Sequence, residues 1–495
     1  MLNFSNILNH RFLPVLLLAA VCFTAYSNSL HNDFMVDDHI VLFGETGVQQ
    51  RPFLALFSGS VIGFYRPVGH IPLKCFHSLF GEKVFLYHLA NLFLFFLICL
   101  FFFFLTDLLF RSRKLAFWTA ALYAAHPVNG MLVNYVTASV ISTAVIFMQL
   151  TMISFIFSFV KERKLYYFFS LVFFVFGILS HEMAAAMPVY LFLYLYFIKR
   201  IQSLKKSFLL LTPFLSLLLF YFILKESLAG MRITSYSLFD GIFAAVSEIG
   251  IIKCIATITD LIGWYLSKLI MPHGILFLWS GEIANQWIYL KAFMGLFFFL
   301  ALIYAAVKHW RGEVRGFAAA FFISGFLPIL VSSFFYYPFG RPMVEPHWFY
   351  FSSFGFFILL ADIILRLASK AQKMAWAAPL ILIIYIFLAL NYNLYWKNQE
   401  IFCRYWLSLN MRELTPFHYL GRSLMQKGQY REALNYMWQG MNNNNMGVNR
   451  YILDDIGLCY QMLGDDKRAD RYFDAAQKMK STKPIQPIKR ADSDP

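Results

Sequence analysis

The chain has 495 residues, 59% of them hydrophobic and 14% charged, whereas a soluble domain carries roughly 45–50% apolar and about 25% charged residues. An ordinary soluble protein is therefore excluded. The formal net charge of +15 would suit nucleic acid, but the basic residues fall in short loops between long apolar runs, which is a pattern of membrane topology.

A membrane-crossing helix needs about 20 mostly apolar residues. In chain order the expected spans are 12–30, 84–107, 115–130, 134–160, 165–180, 183–198, 207–225, 287–307, 316–335, 347–367 and 374–395, eleven in all. The first has a weakly basic flank and no small-residue cleavage site leading into a soluble domain, so it is read as a retained helix rather than a secretory signal. Alternate loops are basic: Arg111, Arg113 and Lys114; Lys161, Arg163 and Lys164; Lys199, Arg200, Lys205 and Lys206; Lys308, Arg311 and Arg315; Arg366, Lys370 and Lys373. These loops are assigned to the cytoplasm. The N-terminus is then inside, and the C-terminal region lies on the non-cytoplasmic side. That arrangement requires 251–272, whose apolar residues are interrupted by Lys253, Asp260 and Lys268, to be an amphipathic helix at the outer interface. A true span there would break the alternation of charge.

The unusual polar segments then share the outer face. They are the loop 31–83 with Asp37, Asp38 and YRPVGH (65–70), then AAHPVNG (124–130), SHEM (180–183) and YYPFGRPMVEPHW (336–348). Ionisable groups beside a bilayer are costly and often functional. Each segment also has a plainer reading. Asp37 and Asp38 before HIVLF form an ordinary helix N-cap, with neighbouring carboxylates diverging so that one caps while the other faces a cavity. His126-Pro127 ends a helix, His181-Glu182 forms an interfacial pair, and Arg66 reaches for lipid phosphate. Cys22, Cys75, Cys99, Cys254, Cys403 and Cys459 show no metal-binding spacing, so neither a disulfide nor a zinc site is expected.

Composition changes after Trp396. Leu420-Gly421 recurs as Ile456-Gly457, Gly428 as Gly464, Ala433 as Ala469 and Met437 as Phe473, each 36 residues on. The tetratricopeptide repeat has a period of about 34 residues with small residues where its helices cross, and the NNNNMGVN connector (442–449) accommodates the extra length. Two repeats cannot bury a continuous core alone, so 397–413 is expected to cap them or to dock them on the membrane part. Residues 481–495 are expected to be disordered.

Taken in order, YSNSLHNDFMVDDH (26–39), YRPVGHIPL (65–73), YHLANLFLF (87–95), LYAAHPVNGMLVNYV (122–136), LSHEMAAAMP (179–188), YLSKLIMPHGI (265–275), FYFSSFGFF (349–357) and the repeats resemble the TMTC family, transmembrane and tetratricopeptide repeat-containing mannosyltransferases of GT-C fold. The resemblance implies an all-α polytopic glycosyltransferase domain (1–396, with 31–83 as first external loop), a repeat domain (397–480) and a tail (481–495). It implies an inverting enzyme that moves a monosaccharide from a polyprenyl-phosphate donor to an acceptor hydroxyl, with protein Ser/Thr favoured and a lipid-linked glycan or lipid A left open. Asp37 is then the base, with Asp38 orienting it or capping the helix. Arg66, His181, Arg341 and His347 are the cations for the donor phosphate, and Tyr65, His70, His126, Glu182 and Glu345 line the pocket.

Two departures bear on the donor. The family has Ser-Lys-Glu where this chain has Ser180-His181-Glu182, and Glu-Arg where it has Glu345-Pro346-His347, with Arg341 available to supply the lost charge. A divalent cation at Asp37, Asp38 and nearby histidines is compatible with the residues, although no spacing demands one. The rival reading is a non-enzymatic scaffold or carrier with a repeat-based interaction domain. A carrier needs broken or charged helices at mid-membrane, and the spans read as almost free of charge.

Overall fold

The computed structural model describes residues 12–44, 47–61, 64–229, 238–280, 290–309, 314–327, 343–411, 413–443 and 450–478. The protein is all-α. Among the described residues the extended pairing is two residues long: Trp279–Ser280 runs antiparallel to Met343–Val344.

Five segments are long and apolar enough to cross a membrane: Leu13–His31, Val84–Phe110, Val136–Val160, Leu204–Lys225 and Lys373–Tyr395. Four more of the expected spans correspond to shorter apolar helices at Lys164–Ile178, Glu182–Ile198, Gly295–Lys308 and Val314–Ser324. The expected spans 115–130 and 347–367 correspond to Arg113–Ala125 and Ser353–Lys370. Arg113–Ala125 departs most from a lipid-facing span, because every residue from Leu115 to Ala125 is buried by protein. Tight turns join several helices through left-handed non-glycine residues in the basic loops, namely Arg111, Glu162 and Arg200. At the first of these turns the Ser112 hydroxyl caps the next helix by accepting from Leu115 N at 3.3 Å.

One large apolar core runs from Leu18 to Trp406. On the Ala377–Tyr395 helix Leu380, Ile383, Ile384 and Phe387 stay exposed at i, i+3, i+4 and i+7, a stripe suited to lipid rather than water. The 251–272 stretch is a 20-residue helix, Ile251–Ile270, that buries Leu261, Trp264, Tyr265 and Leu269 and leaves Ile251, Ile252, Ile255 and Ile270 exposed. The sequence reading of charge-poor spans meets an exception at Asp362 within Ser353–Lys370. It is offset by Arg366 at 2.8 Å and Arg315 at 3.2 Å.

The described residues of 31–83 carry a core of their own. Phe34, Val41, Leu42, Val48, Leu56, Val61 and Leu73 make a separate core against Tyr87, Val136 and Val140. The C-terminal part forms two helical hairpins, Leu414–Gln426 with Tyr430–Asn443 and Arg450–Met462 with Asp466–Lys478. The 36-residue offset is structural. Gly421 lies against Met437 and Gly457 against Phe473, where an added Cβ would come within 2.5 and 2.7 Å of those side chains. Gly428 and Gly464 take φ of 75° and 80° as each first helix ends. The connector residues 444–449 and the tail 481–495 lie outside the described residues.

The Gln399–Leu409 helix joins the two parts. Phe402 and Trp406, four apart, enter the large core, while Cys403 and Leu407, also four apart, enter the hairpin core. This helix, within the 397–413 stretch expected to cap or to dock the repeats, thus packs into both cores.

Candidate functional site

A chain of buried amides holds the loop that carries the aspartates. Asn393 Nδ2 donates to Ala25 O (2.9 Å) and Asn28 Oδ1 (2.8 Å). Asn134 Nδ2 donates to Asn393 Oδ1 (2.7 Å) and Gly130 O (2.9 Å), and Asn32 Nδ2 donates to Asn134 Oδ1 (2.9 Å). These polar side chains are permissible in an apolar core because they satisfy one another. Asp33 N donates to Lys397 O at 3.0 Å, which ties the same loop to the start of the C-terminal region. Val36 then takes φ of 50°, a left-handed conformation uncommon for a β-branched residue, immediately before Asp37.

The two aspartates diverge, and neither caps the helix Asp38–Phe43. Asp37 occupies the N-cap position without a side-chain cap bond, which corrects the N-cap reading. Asp38 is wholly buried and accepts from Met35 N (3.0 Å), Thr137 N (2.8 Å) and Thr137 Oγ1 (2.6 Å). Burial pushes its carboxyl up to about 7, against those three donors. Asp38 therefore bolts the loop to the 136–138 turn. Asp37 is half-buried and accepts from the Tyr419 hydroxyl at 2.7 Å. Burial raises its carboxyl above the ordinary range, Tyr419 and Tyr135 pull it down by hydrogen bonding, and nearby Glu345 raises it.

The YRPVGH turn docks on the 179–182 segment. Val68 N donates to Leu179 O at 3.1 Å, and Gly69 is so close to Ser180 O that a Cβ would come within 2.5 Å of it. Arg66 Nε thereby reaches Glu182 Oε2 at 2.8 Å, with its guanidinium over Phe64 at 4.3 Å. Lys225 Nζ meets the other oxygen of Glu182, also at 2.8 Å. The side chains of Arg66, Glu182 and Lys225 retain 19%, 27% and 24% of their exposure, so the group is partly desolvated yet reachable. Two fixed cations share one carboxylate, an arrangement that leaves positive charge for an anion.

His181 Nδ1 accepts from Met183 N at 3.2 Å, which places the ring proton on Nε2, a buried atom with no partner. Burial and then Arg66 hold its pKa well below the usual histidine value. His181 is thus a neutral donor rather than the cation expected from sequence. Its ring meets His347 edge to face, with centroids 5.1 Å apart. Glu345 Oε2 lies 2.9 Å from His347 Nδ1 but out of line for a hydrogen bond. Arg66, His181-Glu182, Lys225 and Glu345–His347 thus lie together, and Glu345 acts electrostatically on Asp37.

Of the expected pocket residues, His126 and Tyr65 spend their polar atoms on backbone groups. His126, fully buried, accepts from Val128 N at 3.2 Å and donates to Leu269 O at 3.1 Å, so both ring nitrogens are spent inside the core. It does not line the site, which corrects that expectation and favours the helix-ending reading of His126-Pro127. Tyr65 donates to Phe57 O at 3.2 Å within the 31–83 segment. His70 precedes the Ile71–Phe80 helix, where burial and then Arg66 lower its pKa to about 4. Arg341 lies outside the described residues. Among the described residues no three His, Cys, Asp or Glu side chains gather into a site built of protein ligands alone.

Lys225, Thr137, Tyr135 and Tyr419 escaped the sequence reading. Only Lys225 carried a signal, as a cation closing the apolar run LSLLLFYFILK (215–225). Comparison with protein-family models, with curated proteins and with solved structures finds no match.

Proposed function

We propose that the protein is a membrane-embedded inverting glycosyltransferase of GT-C type. It moves a monosaccharide from a polyprenyl phosphate to an acceptor hydroxyl, with a protein Ser or Thr favoured, at the non-cytoplasmic face of a chain with about eleven membrane helices. The two hairpins are tetratricopeptide repeats that hold the acceptor on that same side. If the protein is bacterial, this is the inner membrane with a periplasmic site; if eukaryotic, the endoplasmic reticulum with a lumenal one.

The observation that carries the reading is a half-buried carboxylate, Asp37, under the electrostatic influence of Glu345, with Glu345 linked through His347 and His181 to the Arg66–Glu182–Lys225 group. A general base needs a carboxylate whose pKa lies nearer the working pH than an ordinary aspartate's. Burial moves Asp37 in that direction. In the reaction, the acceptor O–H proton passes to Asp37. The acceptor oxygen bonds to the sugar's anomeric carbon from the side opposite the phosphate, and the bond to the phosphate oxygen breaks with inversion. The departing lipid phosphate gains negative charge, which Arg66 and Lys225 stabilise. Where the family resemblance expects a lysine just before Glu182, this chain has His181, and the lysine that meets Glu182 comes from position 225.

Transfer assayed with purified protein and a panel of radiolabelled polyprenyl-phosphate sugars tests this. The expected result is transfer from one or a few lipid-linked sugars and none from the corresponding nucleotide sugars. No transfer from any member of the panel, with retained binding of a protein partner to the hairpins, would instead support the scaffold reading.

A further inference from the structure

The contact between Asp37 and Tyr419 joins residues 382 positions apart and crosses from the membrane part to the first helix of the C-terminal hairpins. It does not stand alone. The Tyr419 backbone carbonyl accepts from Gln399 Nε2 at 2.9 Å, which fixes Tyr419 to the helix shared by the two cores. One turn further along, Arg422 acts electrostatically on His39, two residues past Asp37. Arg422 is itself held at 3.4 Å by Asp455 of the second hairpin, which His418 also meets at 2.6 Å. The Asp37 loop is tied to the same region by Asp33 N on Lys397 O, at 3.0 Å. Both hairpins therefore bear on the surroundings of one half-buried carboxylate.

A phenol donating to a carboxylate at 2.7 Å has the geometry of a hydroxyl awaiting deprotonation. Tyr419 stands where an acceptor hydroxyl has to stand. We propose that Tyr419 is a latch: its hydroxyl occupies the acceptor side of Asp37, and an acceptor reaches the carboxylate only by displacing it, so that movement of the hairpin helix Leu414–Gln426 gates the site. Tyr419 is a positioning residue in this scheme, because it leaves before chemistry begins. The gating role rests on the transferase reading, whereas the latch contact itself does not.

The test therefore has two arms on full-length protein in detergent micelles. In the first, amide hydrogen exchange is followed in peptides covering 33–43 and 414–426 for wild type, Tyr419→Phe, Asp37→Ala and the double variant. A hydrogen bond to a charged group lost on opening corresponds to roughly a ten- to hundredfold rise in exchange. Both single variants are expected to show that rise in both segments, and the double variant no more than either single one. Unchanged exchange in Tyr419→Phe, or effects that multiply in the double variant, overturns the latch. In the second arm, Tyr419→Phe is assayed for transfer from the active donor. The expected result is a lower acceptor KM with donor KM unchanged, together with an acidic limb shifted to higher pH, because the bond that favours ionised Asp37 is gone. A raised acceptor KM with an unmoved acidic limb overturns the gating. If wild type transfers nothing, the transferase reading and the gate fall while the exchange arm still decides the contact.

Discussion

Asp38→Asn keeps the shape of a wholly buried side chain that accepts three hydrogen bonds. An amide has one acceptor oxygen. Turned toward Thr137, it retains the bonds from Thr137 N and Oγ1 and presents its NH2 to Met35 N, donor against donor. One buried N–H is then left without a partner, at a cost of about 1–3 kcal/mol. Above about pH 7, where the wild-type carboxyl is ionised, the two retained bonds also lose the strength that the negative charge gives them. Relief from burying a charge offsets part of this, so the net expectation is a local destabilisation of about 1–3 kcal/mol, centred on residues 35–38 and 136–138. The sign with pH follows from the carboxyl, which the fold raises from 3.8 to about 7. Between those values the folded protein holds a proton that the unfolded chain releases, so this group's contribution to stability is present at low pH and falls as pH rises toward 7. Asn at 38 removes that slope. The assay is amide exchange at Met35 and Thr137, with apparent Tm measured from pH 4.5 to 8. Exchange at both amides should rise roughly tenfold or more, and the wild-type-minus-variant difference in Tm should shrink as pH rises. Unchanged exchange at both amides would refute the view that Asp38 bolts the Asp37 loop in place.

Lys225→Met should weaken binding of a radiolabelled polyprenyl-phosphate sugar by roughly ten- to a hundredfold through loss of a charge-assisted contact. Unaltered binding removes Lys225 from the donor site. Gly69→Ala places a Cβ within 2.5 Å of Ser180 O and 2.8 Å of Val140 Cγ1; it should cost about 1–3 kcal/mol by overpacking and reduce donor binding by separating Arg66 from Glu182, both read by thermal shift and filter binding. In the hairpins, Gly457→Ala meets the stiff Phe473 ring and Gly421→Ala the flexible Met437 thioether, so Gly457→Ala should accelerate proteolysis of 414–478 more than Gly421→Ala does. Equal rates would argue against the 36-residue register.

The features that were legible in the sequence are those that repeat or run long. Apolar length revealed the longest helices, and the 36-residue echo of Gly421 in Gly457 marked the helix contacts of the hairpins. The segments that meet at the site were also visible, because ionisable residues stand out against apolar neighbours. Their individual roles were not, because those depend on contacts distant in sequence. Nothing local distinguishes Asp37 from Asp38; the difference is made by Thr137 and Tyr419, about 100 and 382 residues away. His181 reads as a cation until its burial and its bond from Met183 N are known. Arg113–Ala125 reads as a span because it is apolar, yet protein rather than lipid covers it.

The central claim is that Asp37 takes the acceptor's proton. The direct measurement is sugar transfer by Asp37→Asn beside wild type, in the same preparation and with the donor that wild type uses, with donor binding measured in parallel. Asparagine keeps the shape but cannot accept the proton, so transfer should fall by about 100- to 10,000-fold with donor binding largely retained. Near-normal transfer by Asp37→Asn would contradict the account.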